Sequence, residues 1–144
     1  MSVKIDWLGE KVYSAEWVIN KKYPEGSQNF KSLKEMQNKI NSITEDPWFK
    51  RRWPFVTDVK LKTWEEVPTA FAEEKLIYFP DWSRDILVLL HELSHICNRA
   101  KRNRLESHGV EFVAIELQLV GKYMGPKHLT TLKQGLKNFG FPGF

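Results

Sequence analysis

The sequence predicts an α+β fold, and three observations predict it. Apolar residues recur at three- and four-residue intervals near both ends of the chain, the signature of amphipathic helices. Two short runs rich in β-forming residues lie in the middle. A continuous apolar block, Ile86 to Leu90, then leads directly into the polar run HELSH at residues 91–95. The expected order is helices first, a small antiparallel-type sheet, then three helices.

The first helix is expected over about Glu10 to Lys22, with Val12, Trp17, Val18 and Ile19, ending where Tyr23-Pro24-Glu25-Gly26 forbids continuation. Ser32 followed by Glu35 has capping-box spacing, and Leu33, Met36, Ile40 and Ile43 fall on one face of a second helix that stops at Asp46-Pro47. Alternation around Val56, Asp58, Val59, Lys60, Leu61 and Lys62 predicts a strand. KLIYFP, closed by Pro80, predicts another, and the two are expected to be antiparallel neighbours. A helix starts at Ser83, with Asp85 in its first turn where it complements the dipole, and carries HELSH to about Asn98. Phe112, Ile115 and Leu119, with Val113, Leu117 and Val120, mark the next helix. Pro126 opens the last, through Leu129, Leu132 and Leu136, and the tail FGFPGF is expected to be loosely held.

At 144 residues the chain reads as one domain, 1–144. A hydrophobic fraction of 42% and an aromatic fraction of 13% exclude disordered and fibrous classes, and the six Trp are read as core. No run approaches the roughly 18–20 apolar residues of a membrane span, and MSVKIDWLGEKVYSAEW lacks the pattern of a signal peptide. With Cys97 as the single cysteine, a reducing, cytoplasmic location is expected. The net charge is +4, and the excess gathers at Arg99, Lys101, Arg102 and Arg104, either a solvated loop or a guide for an anionic partner such as nucleic acid.

On a helix, His91 and His95 stand one turn apart and project from one face, the spacing at which two imidazoles reach a single Zn²⁺. Glu92 is adjacent, placed to accept a proton from a water on the metal. H-E-x-x-H also arises by chance; the helical context, and the fall of three of the four histidines within residues 91–108, argue for metal binding here. A catalytic site wants three protein ligands and an open vertex. His108, in SHGVEF beyond the basic loop, ranks first as the third ligand. Glu111 is second, or else orients His108 through a hydrogen bond, and Glu106 is third. Cys97 points to another helical face and reads as a small core residue, and His128 reads as a surface or interface residue. The metal-site core thus spans about residues 76–125.

HELSH followed by HGVEF resembles the SprT-like zinc metallopeptidases and the small bacterial and phage metallohydrolases related to them. In these an H-E-x-x-H helix precedes an H-G-x-x-F segment. The approach KLIYFPDWSRDILVLLHELSH is also similar, so the likeness covers about residues 76–112. It implies a compact zincin-like α+β domain, zinc on His91, His95 and His108, Glu92 as general base, and a peptide or protein substrate. It also implies a sheet edge beside the active-site helix, which would make KLIYF a substrate-binding strand. Val110 stands where proline is common, and these 144 residues show neither the zinc-ribbon cysteines nor the separate DNA-binding domain that larger SprT-like proteins carry, so the resemblance is not expected to extend to DNA-linked targeting. Tyr78, Tyr123 and Arg84 are candidate oxyanion donors. The competing reading is a binding module in which the metal is structural and the chain engages nucleic acid or protein without catalysis.

Overall fold

The fold is that of a computed structural model, described for residues 7–23, 30–66, 69–80, 85–100 and 108–144, the side chains of 99 and 100 excepted. Among these residues the order is α1 (Trp7–Lys22), α2 (Leu33–Glu45), α3 (Pro47–Arg52), β1 (Lys60–Thr63), β2 (Phe71–Glu73), β3 (Leu76–Phe79), α4 (Ile86–Ala100), α5 (Val110–Tyr123) and α6 (Pro126–Asn138). Six helices and one three-stranded sheet among the described residues make this an α+β fold, as the sequence predicts. None of the described helices is long and apolar enough to cross a membrane. The chain divides into two compact units, one of Met1–Gly26 with Arg104–Phe144, the other of Ser27–Asn103.

In the unit of Ser27–Asn103, Ser32 caps α2 by accepting the Glu35 N–H at 3.1 Å, and Met36, Ile40 and Ile43 are buried along one face. Asp46 ends α2 and caps α3, its carboxylate accepting the Trp48 N–H, with Pro47 in the first turn. The sequence reading stopped at this proline and missed α3, whose six residues are too few to show a period. Strand β1 begins at Lys60, later than the alternation suggested, because Asp58 takes a left-handed φ of 57° that breaks the extended run.

The sheet corrects the expected antiparallel pairing. β1 and β3 are neighbours, but parallel, with Lys60 opposite Leu76 and Lys62 opposite Tyr78. The antiparallel partner of β3 is β2, joined to it through Glu74 at φ 53° and Lys75. Three residues, one of them Glu73, were too short and too polar to announce β2. Once this hairpin occupies one side of β3, β1 can join only the other, giving the order β1-β3-β2. KLIYF is therefore the central strand, bonded on both sides, and not the substrate-accepting edge that the resemblance suggested.

The outer edge of β1 is closed by a side chain of α2. Gln37 donates through Nε2 to the Val59 carbonyl at 2.8 Å and accepts the Leu61 N–H through Oε1 at 2.9 Å. One amide thus does for β1 what a further strand would do. Leu61, Ala72, Ile77 and Phe79 are buried on one sheet face, and α4 packs against β2.

The unit of Met1–Gly26 with Arg104–Phe144 is helical. α6 packs on α1 and α5, burying Val12, Ala15 and Ile19 against Leu132 and Leu136. Gly135 allows the closest approach: a Cβ there would lie 2.9 Å from Ala15 Cβ and 3.0 Å from Ala15 Cα. The tail is better held than expected. Gly140, at φ 78°, lets the Phe141 N–H reach the Leu136 carbonyl and its own N–H the Lys137 carbonyl, a Schellman closure that buries Phe141. Lys11 adds a bond to the Phe139 carbonyl at 2.8 Å.

The tryptophans are not uniformly core. Trp53 is buried, whereas Trp7 and Trp17 are 64% and 58% exposed and Trp64 is 45% exposed. Because the Gly135–Ala15 contact is backbone-close, Gly135→Val is expected to destabilise the fold by about 2–3 kcal/mol through overpacking. Urea-denaturation midpoints of wild type and variant check this.

Candidate metal centre

Helix α4 exists where it does because of its N-cap. Asp85 accepts the Val88 N–H at 2.9 Å, satisfying one of the donors a helix start leaves open. It stands just before the helix, one position earlier than the first-turn role expected of it; Ser83 lies outside the described residues. From there Ile86, Leu87, Leu89, Leu90, Leu93 and Ile96 are all buried, so α4 is a helix enclosed on most sides. Within this apolar rod His91 is 4% exposed, Glu92 5% and His95 9%. Polar groups are costly in such surroundings unless they bond or bind something.

The two imidazoles meet as the spacing predicts. Their ring centroids are 5.1 Å apart with planes at 72°, and a nitrogen of each lies within 4.8 Å of the other's. That separation suits two ligands of one ion, each at about 2.0–2.1 Å from it. Asn98 continues the same face one turn beyond His95, buried, with its Oδ1 taking no hydrogen bond among the described residues. Cys97 is buried, in keeping with a core role.

In the other unit His108 immediately precedes α5, whose N-cap is Gly109. The imidazole is buried and sits between the rings of Tyr13, at 5.2 Å, and Phe112, at 5.0 Å, both edge-on. Glu111, ranked second as a ligand, is exposed in the first turn of α5. Glu106, Arg84, Lys101, Arg102 and Arg104, and the side chain of Arg99, lie outside the described residues. Tyr78 stacks on Phe71 at 4.7 Å in the sheet, and His128 is half-buried beside Tyr23, ring centroids 4.9 Å apart.

Two carboxylates escaped the sequence reading. Glu16 of α1 and Glu116 of α5 are buried, Glu116 completely, with carboxylate oxygens within 4.8 Å of each other. Carboxylates buried so close together are costly unless hydrogen bonds or an opposite charge compensate them. The signal was present in the helical period. Glu16 follows Val12 by four and precedes Ile19 by three, and Glu116 follows Phe112 by four and precedes Leu119 by three, so each lies on an apolar face.

Comparison of the chain with protein-family models, with curated proteins and with solved structures returned no match.

Burial raises the Asp85 carboxyl above its ordinary value of 3.8, outweighing the N–H bonds from Val88 and Leu87 that pull it down. The folded chain then holds this proton more tightly than the unfolded one, and stability is lost as pH rises from 3.8 through the raised value. Asp85→Asn keeps a capping oxygen but does not titrate. Wild type is therefore expected to lose stability relative to the variant as pH rises across this window, read from urea midpoints at a series of pH values.

Proposed function

We propose that this chain is a zinc-dependent hydrolase, and specifically a metallopeptidase with a zincin-like site, in which His91, His95 and His108 hold Zn²⁺ and Glu92 is the general base. The observation that carries the reading is the pair of buried imidazoles one turn apart on α4 with a buried carboxylate beside the first of them. The donor set fits zinc: neutral nitrogen ligands, three in number, leave the fourth vertex that catalysis requires. The second-ranked candidate, Glu111, is exposed, and this favours His108, whose ring is buried and flanked by Tyr13 and Phe112.

Held by His91, His95 and His108, zinc would supply Lewis-acid chemistry, making water a better nucleophile near neutral pH and polarising a carbonyl. Glu92 accepts the proton of the attacking water and delivers it to the departing amine as the peptide bond opens. Tyr13 and Phe112 pack edge-on against the His108 ring, contacts that favour an ordered imidazole when the ion binds. The likeness of residues 76–112 to the SprT-like metallopeptidases supports a peptide or protein substrate. A chain with one cysteine suits a reducing compartment such as the cytoplasm.

Elemental analysis of purified protein is expected to find zinc near one equivalent per chain, and His108→Ala to lower its affinity at least about tenfold in competition with a chromophoric chelator. Glu92→Gln is expected to keep the metal and lose about 10²–10⁴ in kcat on a peptide substrate. A Glu92→Gln variant that cleaves as well as wild type would remove the general base from the mechanism, and full zinc affinity in His108→Ala would remove that ligand.

A further inference from the structure

The three-stranded sheet has a second face, and its residues form two rows. Residues in register on neighbouring strands share a face, as do residues two apart on one strand. Lys60, Leu76 and Glu73 make one row across β1, β3 and β2; Lys62, Tyr78 and Phe71 make the other. Lys60, Lys62 and Glu73 are exposed, and Leu76, Tyr78 and Phe71 are half-buried. Phe71 and Tyr78 stack at 4.7 Å with planes at 21°, and the exposed Trp64 packs tilted against Phe71 at 6.0 Å and edgewise on Tyr78 at 5.5 Å. The face is thus an apolar, aromatic stripe with basic residues along β1 and an acidic one on β2.

We propose that this face is a self-association surface whose occupant is a second copy of the chain, related by a two-fold axis lying between the two faces and parallel to β3. Such an axis carries β1 of one copy over β2 of the other and keeps the rows level. Lys60 then meets the second copy's Glu73, Leu76 meets Leu76, Tyr78 meets Tyr78, and Lys62 lies over the second copy's Phe71 ring. Each charged pairing occurs twice in the dimer. Sheets packed face to face about 10 Å apart, with strands within about 30° of each other, bring these side chains into reach. The charge pattern chooses this occupant over a nucleic acid: Glu73 on the face, and the exposed Glu65, Glu66 and Glu74 against one exposed Lys75 in the segments adjoining the strands, disfavour a phosphate backbone, whereas Lys60 and Glu73 complement each other across a two-fold.

Sedimentation equilibrium of the full chain over a range of concentrations tests the proposal, with circular dichroism melts to confirm that each variant is folded. Wild type is expected to dimerise. Lys60→Glu and Glu73→Lys, each of which sets like charges opposite one another twice, are expected to weaken the dimer about tenfold or more. The double variant is expected to return to wild-type affinity, because the pairing is restored with its sign exchanged. A chain that stays monomeric at every concentration overturns the proposal, as do single reversals without effect or a double variant that fails to recover. So does binding of a single-stranded oligonucleotide to a monomer, if Tyr78→Ala abolishes it.

Discussion

The constraint on which the rest depends is the cost of placing polar side chains inside an apolar helix. α4 buries leucine and isoleucine over most of its circumference, yet carries His91, Glu92 and His95 among them. Such groups remain only where something compensates them, by hydrogen bonds, by a neighbouring charge or by an ion. The helical repeat supplies the means, since a separation of four aligns two imidazoles within one turn without any distortion of the backbone. The surrounding elements follow from that requirement. A short sheet carries β2 against the helix, α2 fixes the sheet, and Asp85 settles where the helix begins.

How much of this was legible in the sequence depended on the range over which each signal acts. The helices with a regular apolar period, α2 around Met36, Ile40 and Ile43 and α5 around Phe112, Ile115 and Leu119, could be read because their pattern repeats within the element. The HELSH pair was legible for the same reason: its geometry is set by the residues between the two histidines. The orientation of β1 was not legible. Two strands of four residues look alike whether parallel or antiparallel, and the deciding fact was β2, whose three residues give no alternation to recognise. α3 failed on length as well, and the tail was underestimated because the Schellman closure joins Gly140 and Phe141 to the carbonyls of α6, a contact that composition does not reveal.

The candidate site shows a different limit. Glu111, ranked second to His108 as a ligand, is exposed in the first turn of α5. Glu16 and Glu116 were not singled out in the sequence, although each occupies a position that the apolar period reserves for the interior. Charge at an inward-facing position carries more chemical information than charge close by in sequence, because desolvation gives such a residue properties that an exposed one lacks.

Gln37 has a mechanical consequence. Two hydrogen bonds of opposite polarity, made by one rigid planar group to Val59 and Leu61, act like a bolt passed through two plates. A single bond would let α2 pivot against β1, and apolar contact alone would let it slide. The paired attachment resists both motions, so shear between helix and sheet must first break the bolt, and load on one is borne by the other.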